Sequence, residues 1–349
     1  MISTASPALP RVTVLVPCRN EVRYVGPCLE SILATTYPRD RLEILVVDGR
    51  STDGTRDAVQ RCAAQHPQVR LLDNPRGIVP AALNLGIRAA TGEVIARMDA
   101  HCEYPPTYLL RLVTALMETG ADNVGGCVAT LPPDPSSTAR ALAIAQAHPL
   151  GVGNSRFRIG TSKPRWVDTV PFGCYRREVF QRVGLFDEEL VRNQDDEFNH
   201  RLLRQGGRVL LVPSVAARYY ARGTFRQTAR MYYQYGYYKP LVARKLGRIM
   251  TLRQLAPAAL LLALAGGALV ALFWTPAALL TLGLAGSYTA CALGAALGAV
   301  ASHGSRVALA LAAAFPVLHA SYGVGFLRGV WSVLVPRRRF DVTAVPMSR

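Results

Sequence analysis

Between residues 198 and 340 the chain carries no aspartate or glutamate, and residues 255 to 335 are dense in Leu, Ala, Gly and Val. Three apolar stretches stand in this tail, at 255–274, 276–301 and 307–327. Each is near the roughly 20 residues that a helix needs to cross hydrocarbon. Helices packed in a soluble bundle keep a polar stripe toward water, and these stretches have none. The chain is therefore expected to fold as a front domain followed by an α-helical membrane region.

The charge distribution supports that division. The net charge of +17 would suggest nucleic acid if it were spread evenly, because an electrostatic footprint or a recognised module is what such binding needs. Here the cations crowd the approach to the first apolar stretch, with Arg218, Arg222, Arg226, Arg230, Arg244, Lys245 and Arg253 among them. A membrane partner is expected and a nucleic acid is not, since such a block suits an anionic cytoplasmic leaflet. Arg218, Arg222, Arg226 and Arg230 recur every four residues and are followed by six aromatic residues from Phe225 to Tyr238. This pattern predicts an interfacial helix at headgroup depth.

The orientation follows from the same residues. Arg244, Lys245, Arg248 and Arg253 hold the front end inside, and Arg337, Arg338 and Arg339 favour an inside tail. Three full crossings would place that tail outside. The stretch 307–327, which holds Pro316 and His319, is therefore expected not to cross fully. The apolar run at 12–16 is too short for the core of a secretory signal, so the front domain is expected in the cytoplasm, on a multi-pass inner-membrane protein. The seven cysteines form no C-x-x-C pair and no metal-ligand spacing, and they read as reduced core residues.

In the front domain, VTVLVP, LEILVVDG, VRLLDN and EVIARMDA read as strands, and segments of helical spacing alternate with them. Strand and helix at βαβ intervals predict an α/β fold with a mostly parallel, doubly wound sheet, which places ligands at the carboxyl ends of its strands. Asn20, Glu21, Asp48 and Asp99 each follow the carboxyl end of an apolar strand. No G-x-G-x-x-G or P-loop pattern is present, which argues against dinucleotide and P-loop readings.

Taken in order, VTVLVPCRNE, ILVVDGRSTDGT, NPRGIVPAALNLGI, ARMDAHCEYPPTYL, GCYRREVFQRVGLFDEEL and NQDDEFNHRLLRQGG resemble the family 2 glycosyltransferases of the GT-A fold. The likeness is strongest to the succinoglycan-type glucosyltransferases of bacterial exopolysaccharide synthesis. The resemblance implies an enzyme that moves a sugar from a nucleoside diphosphate donor, with a GT-A-like sheet as its catalytic domain over residues 1–215. Behind it would come a basic and aromatic interfacial segment at 216–254, two or three transmembrane helices at 255–335 and a basic tail at 336–349.

The resemblance also assigns residues. Pro17, Asn20, Glu21, Asp48, Arg76 and Asp99 would bind the nucleotide sugar, with Glu21 and Asp48 at ribose and base. Arg76 and Arg97 could each face the diphosphate, since a guanidinium pairs with phosphate oxygens; Arg76 is taken forward. Asp53 is a weaker candidate, because an aspartate in STDGT serves equally as a helix cap. Where the family has Asp-x-Asp to hold a divalent cation, Mg²⁺ or Mn²⁺, this chain has Asp99-Ala100-His101, and imidazole suits Mn²⁺ better than Mg²⁺.

The family's E-D-x-[DE] motif becomes Gln194-Asp195-Asp196-Glu197, which places the catalytic base on Asp195, with Asp196 beside it. Phe172, Gly173 and Cys174 resemble the acceptor-side loop. Gln227 and Arg230 resemble the Q-x-x-R-W element of processive synthases, although an interfacial helix accounts for the same residues. The implied function is inverting transfer of a hexose, from UDP-glucose or a similar donor, to a saccharide carried on polyprenyl diphosphate. Two alternatives stand beside it: a processive polysaccharide synthase, and a non-catalytic membrane scaffold that keeps the fold.

Overall fold

A computed structural model of the chain describes residues 9–247 and 251–335, and the basic tail with Arg337, Arg338 and Arg339 lies outside them. The chain divides into two units, one made of residues up to 129 with 160–219, the other of 130–159 with residues from 220 onward. The sequence boundary at residue 215 runs through the last strand, Val209–Tyr220.

The first unit opens with strands β1 (Val12–Cys18) and β2 (Leu42–Asp48), in which every residue is buried. Such runs suit strands covered by helices on both faces. β3 (Val69–Asp73) and β4 (Val94–Arg97) follow. The helices between these strands are α1 (Val22–Leu33), α2 (Thr55–Gln65) and α3 (Val79–Ala89). In α1 the buried residues are Val25, Cys28, Leu29 and Ile32, the spacing of one helical face. Pro80 occupies the first turn of α3, where its missing N–H costs nothing.

The remaining elements of this unit are β5 (Cys102–Glu103), α4 (Tyr108–Thr119), β6 (Asn123–Leu131), β7 (Arg165–Trp166) and β8 (Cys174–Arg176). After them come α6 (Glu178–Val183), α7 (Gln194–Arg204) and β9 (Val209–Tyr220). The sheet order is β3-β2-β1-β4-β8-β6-β9-β5, with β7 beside β9. Pairing is parallel from β3 through β4. It turns antiparallel at β8, which joins β4 to β6, and at β9, which carries β5 and β7. The parallel expectation thus describes the first four strands, and the sheet as a whole is mixed.

The second unit contains α5 (Ser137–Ala145), α8 (Phe225–Leu246), α9 (Ala256–Ala271), α10 (Thr275–Gly298) and α11 (Ser305–Leu334). Leu142 and Ala145 of α5, Met231 and Tyr232 of α8, and Leu311, Phe315 and Leu318 of α11 share one buried cluster. By length and composition α10 and α11 could each cross a membrane, whereas α9 has 16 residues and is only about 24 Å long. The stretch expected to fall short, 307–327, therefore lies inside the longest apolar helix. The short one is the first. Leu269, Leu279, Leu280, Leu282, Leu297 and Leu309 are exposed on these helices, an apolar surface larger than a soluble fold normally shows to water.

The arginine repeat has a different explanation from the one its spacing suggests. Arg218 lies on β9, Arg222 on the turn after it, and only Arg226 and Arg230 on α8. Of the aromatic residues, Tyr232, Tyr237 and Tyr238 are buried. α8 is packed against α11, where glycines let the backbones approach. A Cβ on Gly236 would stand 2.0 Å from the Tyr322 carbonyl oxygen, and one on Gly325 would stand 2.1 Å from that of Tyr233. Close contacts of this kind are how small residues join helices in membranes. Gly236→Ala is accordingly expected to cost about 1–3 kcal/mol, the usual scale of overpacking. Gly286→Ala is the control, because nothing lies within 4 Å of that position. Thermal unfolding in detergent would separate the two, and equal melting temperatures would contradict the helix contact.

Cys18, Cys28, Cys102, Cys127 and Cys174 are buried free thiols, as expected, but Cys62 is half-buried and Cys291 is exposed. Burial pushes the Cys174 thiol up to about 12, away from thiolate chemistry.

Candidate active site

β2, β1 and β4 are adjacent and parallel, so their carboxyl ends lie side by side, and the residues after them share one rim. Cys18 is opposite Asp48, and Leu15 is opposite Arg97. Among the described residues four non-glycines have positive φ: Asn20 (54°), Arg50 (58°), Phe172 (49°) and Asn193 (61°). Each stands in a loop that carries candidate residues, and unfavourable backbone of this kind collects where a site needs it.

On the nucleotide side the carboxylates are already engaged. Asp48 is fully buried. It accepts from Ser51 Oγ (2.5 Å), Ser51 N (3.1 Å) and Arg56 Nη1 (2.9 Å). Asp48 therefore shapes the STDGT turn that follows β2. Asn20 Oδ1 accepts from Thr52 N at 2.8 Å, which ties the loop after β1 to the same turn. Asp53 accepts from Thr55 N and Val22 N and joins the starts of α1 and α2, whose N-cap residues are Glu21 and Gly54. Pro17 is a buried strand residue opposite Val47. Arg76, the arginine taken forward for the diphosphate, is paired with Glu188 in a mostly exposed contact.

The other arginine is the centre of the site. Arg97 is buried. Its Nε and Nη2 donate to the two carboxylate oxygens of Asp99 at 2.6 and 2.9 Å, and its Nη1 donates to Asp195 Oδ1 at 2.5 Å. One guanidinium thus holds the metal-site and base candidates together, although they are 96 residues apart in sequence. Burial lowers the pKa of Arg97, but Asp195 and Asp99 outweigh it and the net shift is upward. For Asp195, burial raises the carboxyl pKa and Arg97 opposes that rise without cancelling it. The sequence held one signal for this residue: a charge inside VIAR, a strand whose four positions are all buried.

Backbone contacts fix this arrangement. The Asp99 carbonyl accepts from Tyr104 Oη at 3.2 Å. Arg97 N donates to Gly173 O at 2.9 Å, which couples β4 to the loop before β8. Gly173 has no room for a side chain, since a Cβ would lie 2.4 Å from the Tyr175 ring. Phe172 and Cys174 flank it, both buried. Asp195 and Asp196 sit in the first turn of α7, where the helix dipole favours negative charge. The Asp195 side chain keeps 31% of its surface open, so it remains accessible to an acceptor.

His101 Nδ1 lies 3.4 Å from Glu21 Oε1, and its ring meets Tyr219 edge-on. Among the described residues no cluster of three or more His, Cys, Asp or Glu could hold a metal. Both Asp99 oxygens accept from Arg97, so a cation at Asp99 and His101 would share the carboxylate with that guanidinium and take most of its ligands from diphosphate oxygens. Gln227 and Arg230 belong to the second unit. Gln227 N donates to Thr224 Oγ1 at 3.3 Å, and that exchange caps α8. Arg230 is exposed.

Residues 13–184 match the family model for glycosyl transferase family 2. The succinoglycan biosynthesis protein ExoA of Rhizobium meliloti (strain 1021) is 32% identical over 333 residues, covering 93% of this chain and 96% of that protein. The chain belongs to glycosyl transferase family 2. A second relative of this glycosyltransferase is the dolichyl N-acetyl-alpha-D-glucosaminyl phosphate 3-beta-D-2,3-diacetamido-2,3-dideoxy-beta-D-glucuronosyltransferase of Methanococcus voltae. It is 26% identical, over 67% of this chain and 74% of that one. Among solved structures, the mannosyltransferase PcManGT from Pyrobaculum calidifontis, in complex with GDP-Man and Mn²⁺, superimposes with a TM-score of 0.57. Its identity is 25%, covering 92% of this chain and 87% of that one. The fold of this family 2 enzyme is therefore GT-A. Its match to the family model ends before α7 and does not reach Asp195.

Proposed function

We propose that the enzyme transfers one hexose, with inversion, from UDP-glucose or a similar nucleoside diphosphate sugar to a saccharide carried on polyprenyl diphosphate, during assembly of a surface polysaccharide or glycolipid. The observation that carries this reading is the Asp99–Arg97–Asp195 linkage, which brings a donor-side acid and a half-open acid to one place. Asp195 takes the proton from the acceptor hydroxyl, because a sugar alcohol is a poor nucleophile until that proton is leaving. Arg97 holds the Asp195 carboxylate in position. Asp99 and His101 would hold the divalent cation, which when bound would neutralise charge on the departing diphosphate. Glu21 and Asp48 serve the nucleoside end, Asp48 by shaping the turn after β2.

The donor class is supported by the P. calidifontis neighbour, solved with GDP-Man and Mn²⁺. The lipid-linked acceptor is supported by the M. voltae relative, whose name specifies a dolichyl phosphate-linked sugar, and by two helices apolar enough to cross a membrane. Incubating detergent-solubilised protein with a panel of nucleotide sugars and polyprenyl diphosphate-linked saccharides, then identifying the product, tests the reading. A product on a water-soluble acceptor alone would refute it.

If α10 and α11 cross and α9 is too short to do so, the tail returns to the side of the catalytic domain. We expect a cytoplasmic reporter fused after Arg349 to be active. Activity only of a periplasmic reporter there would require a third crossing.

A further inference from the structure

Arg222 lies in the second unit, on the turn between β9 and α8. The residue is 6% exposed, and its Nε and Nη1 have no hydrogen-bond partner among the described residues. An arginine cannot shed its proton to escape burial, as a lysine can. A buried charge is otherwise tolerated only where it is paired. The turn itself is well fixed, since Ala221 N donates to Leu131 O at 2.9 Å and Thr224 caps the helix that follows.

Thr228, in the first turn of that helix, repeats the pattern. It is fully buried and its Oγ1 has no hydrogen-bond partner among the described residues, although a helical threonine hydroxyl often bonds the carbonyl four residues back. Here the Thr224 carbonyl accepts from Thr228 N at 3.0 Å. Arg222 precedes, and Thr228 lies within, the start of a 22-residue helix, where the backbone favours an anion.

The unit offers little to neutralise Arg222. Asp134 is the only aspartate or glutamate among its described residues. Its Oδ1 accepts from Ser136 N at 2.9 Å ahead of α5, and its Oδ2 lies against Gly223. Arg140, Arg156, Arg226, Arg230, Arg244 and Arg253 add to the positive excess.

We propose that Arg222 and Thr228 bind a phosphate group of the substrate, and that this group is the diphosphate of the lipid-linked acceptor. A guanidinium fork matches phosphate oxygens, and a hydroxyl adds one further donor. The lipid source is favoured because the same unit carries α10 and α11, whose exposed leucines suit a lipid chain. The inference rests on the lipid-linked reading of the acceptor and adds its phosphate-binding residues.

The test uses full-length protein in detergent with farnesyl diphosphate as probe, farnesol as the phosphate-free control and UDP as the nucleotide. Wild type should bind farnesyl diphosphate more tightly than farnesol. Arg222→Gln should weaken farnesyl diphosphate about tenfold or more, as loss of a charge-assisted pair does, while UDP affinity is unchanged. Arg222→Lys should recover part of the loss, and Thr228→Val should weaken the same ligand. Because Nε and Nη1 have no hydrogen-bond partner among the described residues, Arg222→Gln should not lower the ligand-free melting temperature, which a structural role would. If Arg222→Gln fails to fold, Thr228→Val carries the test, and unchanged farnesyl diphosphate binding in that variant overturns the site.

Unchanged farnesyl diphosphate binding in both variants would overturn the site. Loss of UDP binding with farnesyl diphosphate retained would assign the residues to the nucleotide and overturn the lipid assignment. Wild-type protein that binds UDP but not farnesyl diphosphate would reject the lipid-linked acceptor itself, and the site with it.

Discussion

Asp195→Asn is expected to lower turnover by roughly 10²-fold or more, the usual scale of general-base catalysis. The amide keeps the shape of the side chain and can still meet Arg97 through its oxygen, but it cannot take a proton. Donor affinity should stay near wild type, because the nucleotide contacts proposed above lie at the ends of β1 and β2 while Asp195 is on α7. A fall in kcat with little change in the donor KM is the signature of an interaction made in the transition state. Asp196→Asn is the control. It shares the helix terminus, whereas the Arg97 ion pairs run to Asp99 and Asp195, so its substitution should cost a little stability and little activity. If both variants behaved alike, Asp195 would be a helix-terminal charge and no base.

Arg97→Met is expected to be the most damaging substitution for stability. Its guanidinium carries three hydrogen bonds to two acids, and its side chain is 9% exposed beside an Asp99 side chain at 12%. Removing one partner of a buried ionic group leaves uncompensated charge, which typically costs about 3–5 kcal/mol. Activity should be lost as well, since Asp195 would no longer be held. Arg97→Lys should restore part of the stability and less of the activity, because a single ammonium cannot reproduce a fork that meets Asp99 with two donors and Asp195 with a third. Thermal unfolding with transfer assays on the same samples would decide this. An Arg97→Met protein as stable as wild type would show that the linkage contributes nothing to the fold.

The sequence revealed the half of the sheet built from apolar runs. VTVLVP and LEILVVDG are legible because parallel strands covered on both faces leave no room for polar residues. β8 was not legible: three residues, Cys174 to Arg176, carry no period, and only the fold places them antiparallel beside β4. That placement sets Gly173 against Arg97. Arg97 was undervalued for a related reason. A lone charge at a strand end reads as solvated unless its partners are known, and one of them, Asp195, comes from a helix far along the chain. The arginine repeat at 218–230 erred in the other direction, since a spacing of four suggests a helix even when it crosses a strand, a turn and a helix start.

Direct attack by the acceptor oxygen, with Asp195 receiving its proton, must come from the face opposite the departing diphosphate. The most direct measurement is therefore the anomeric configuration of the new linkage, read by NMR on product made from an α-linked nucleoside diphosphate sugar. The account predicts a β-linked product from wild-type enzyme, formed roughly 10²-fold or more slowly by Asp195→Asn. An α-linked product would contradict it, because retention requires a different attacking group from the one placed here.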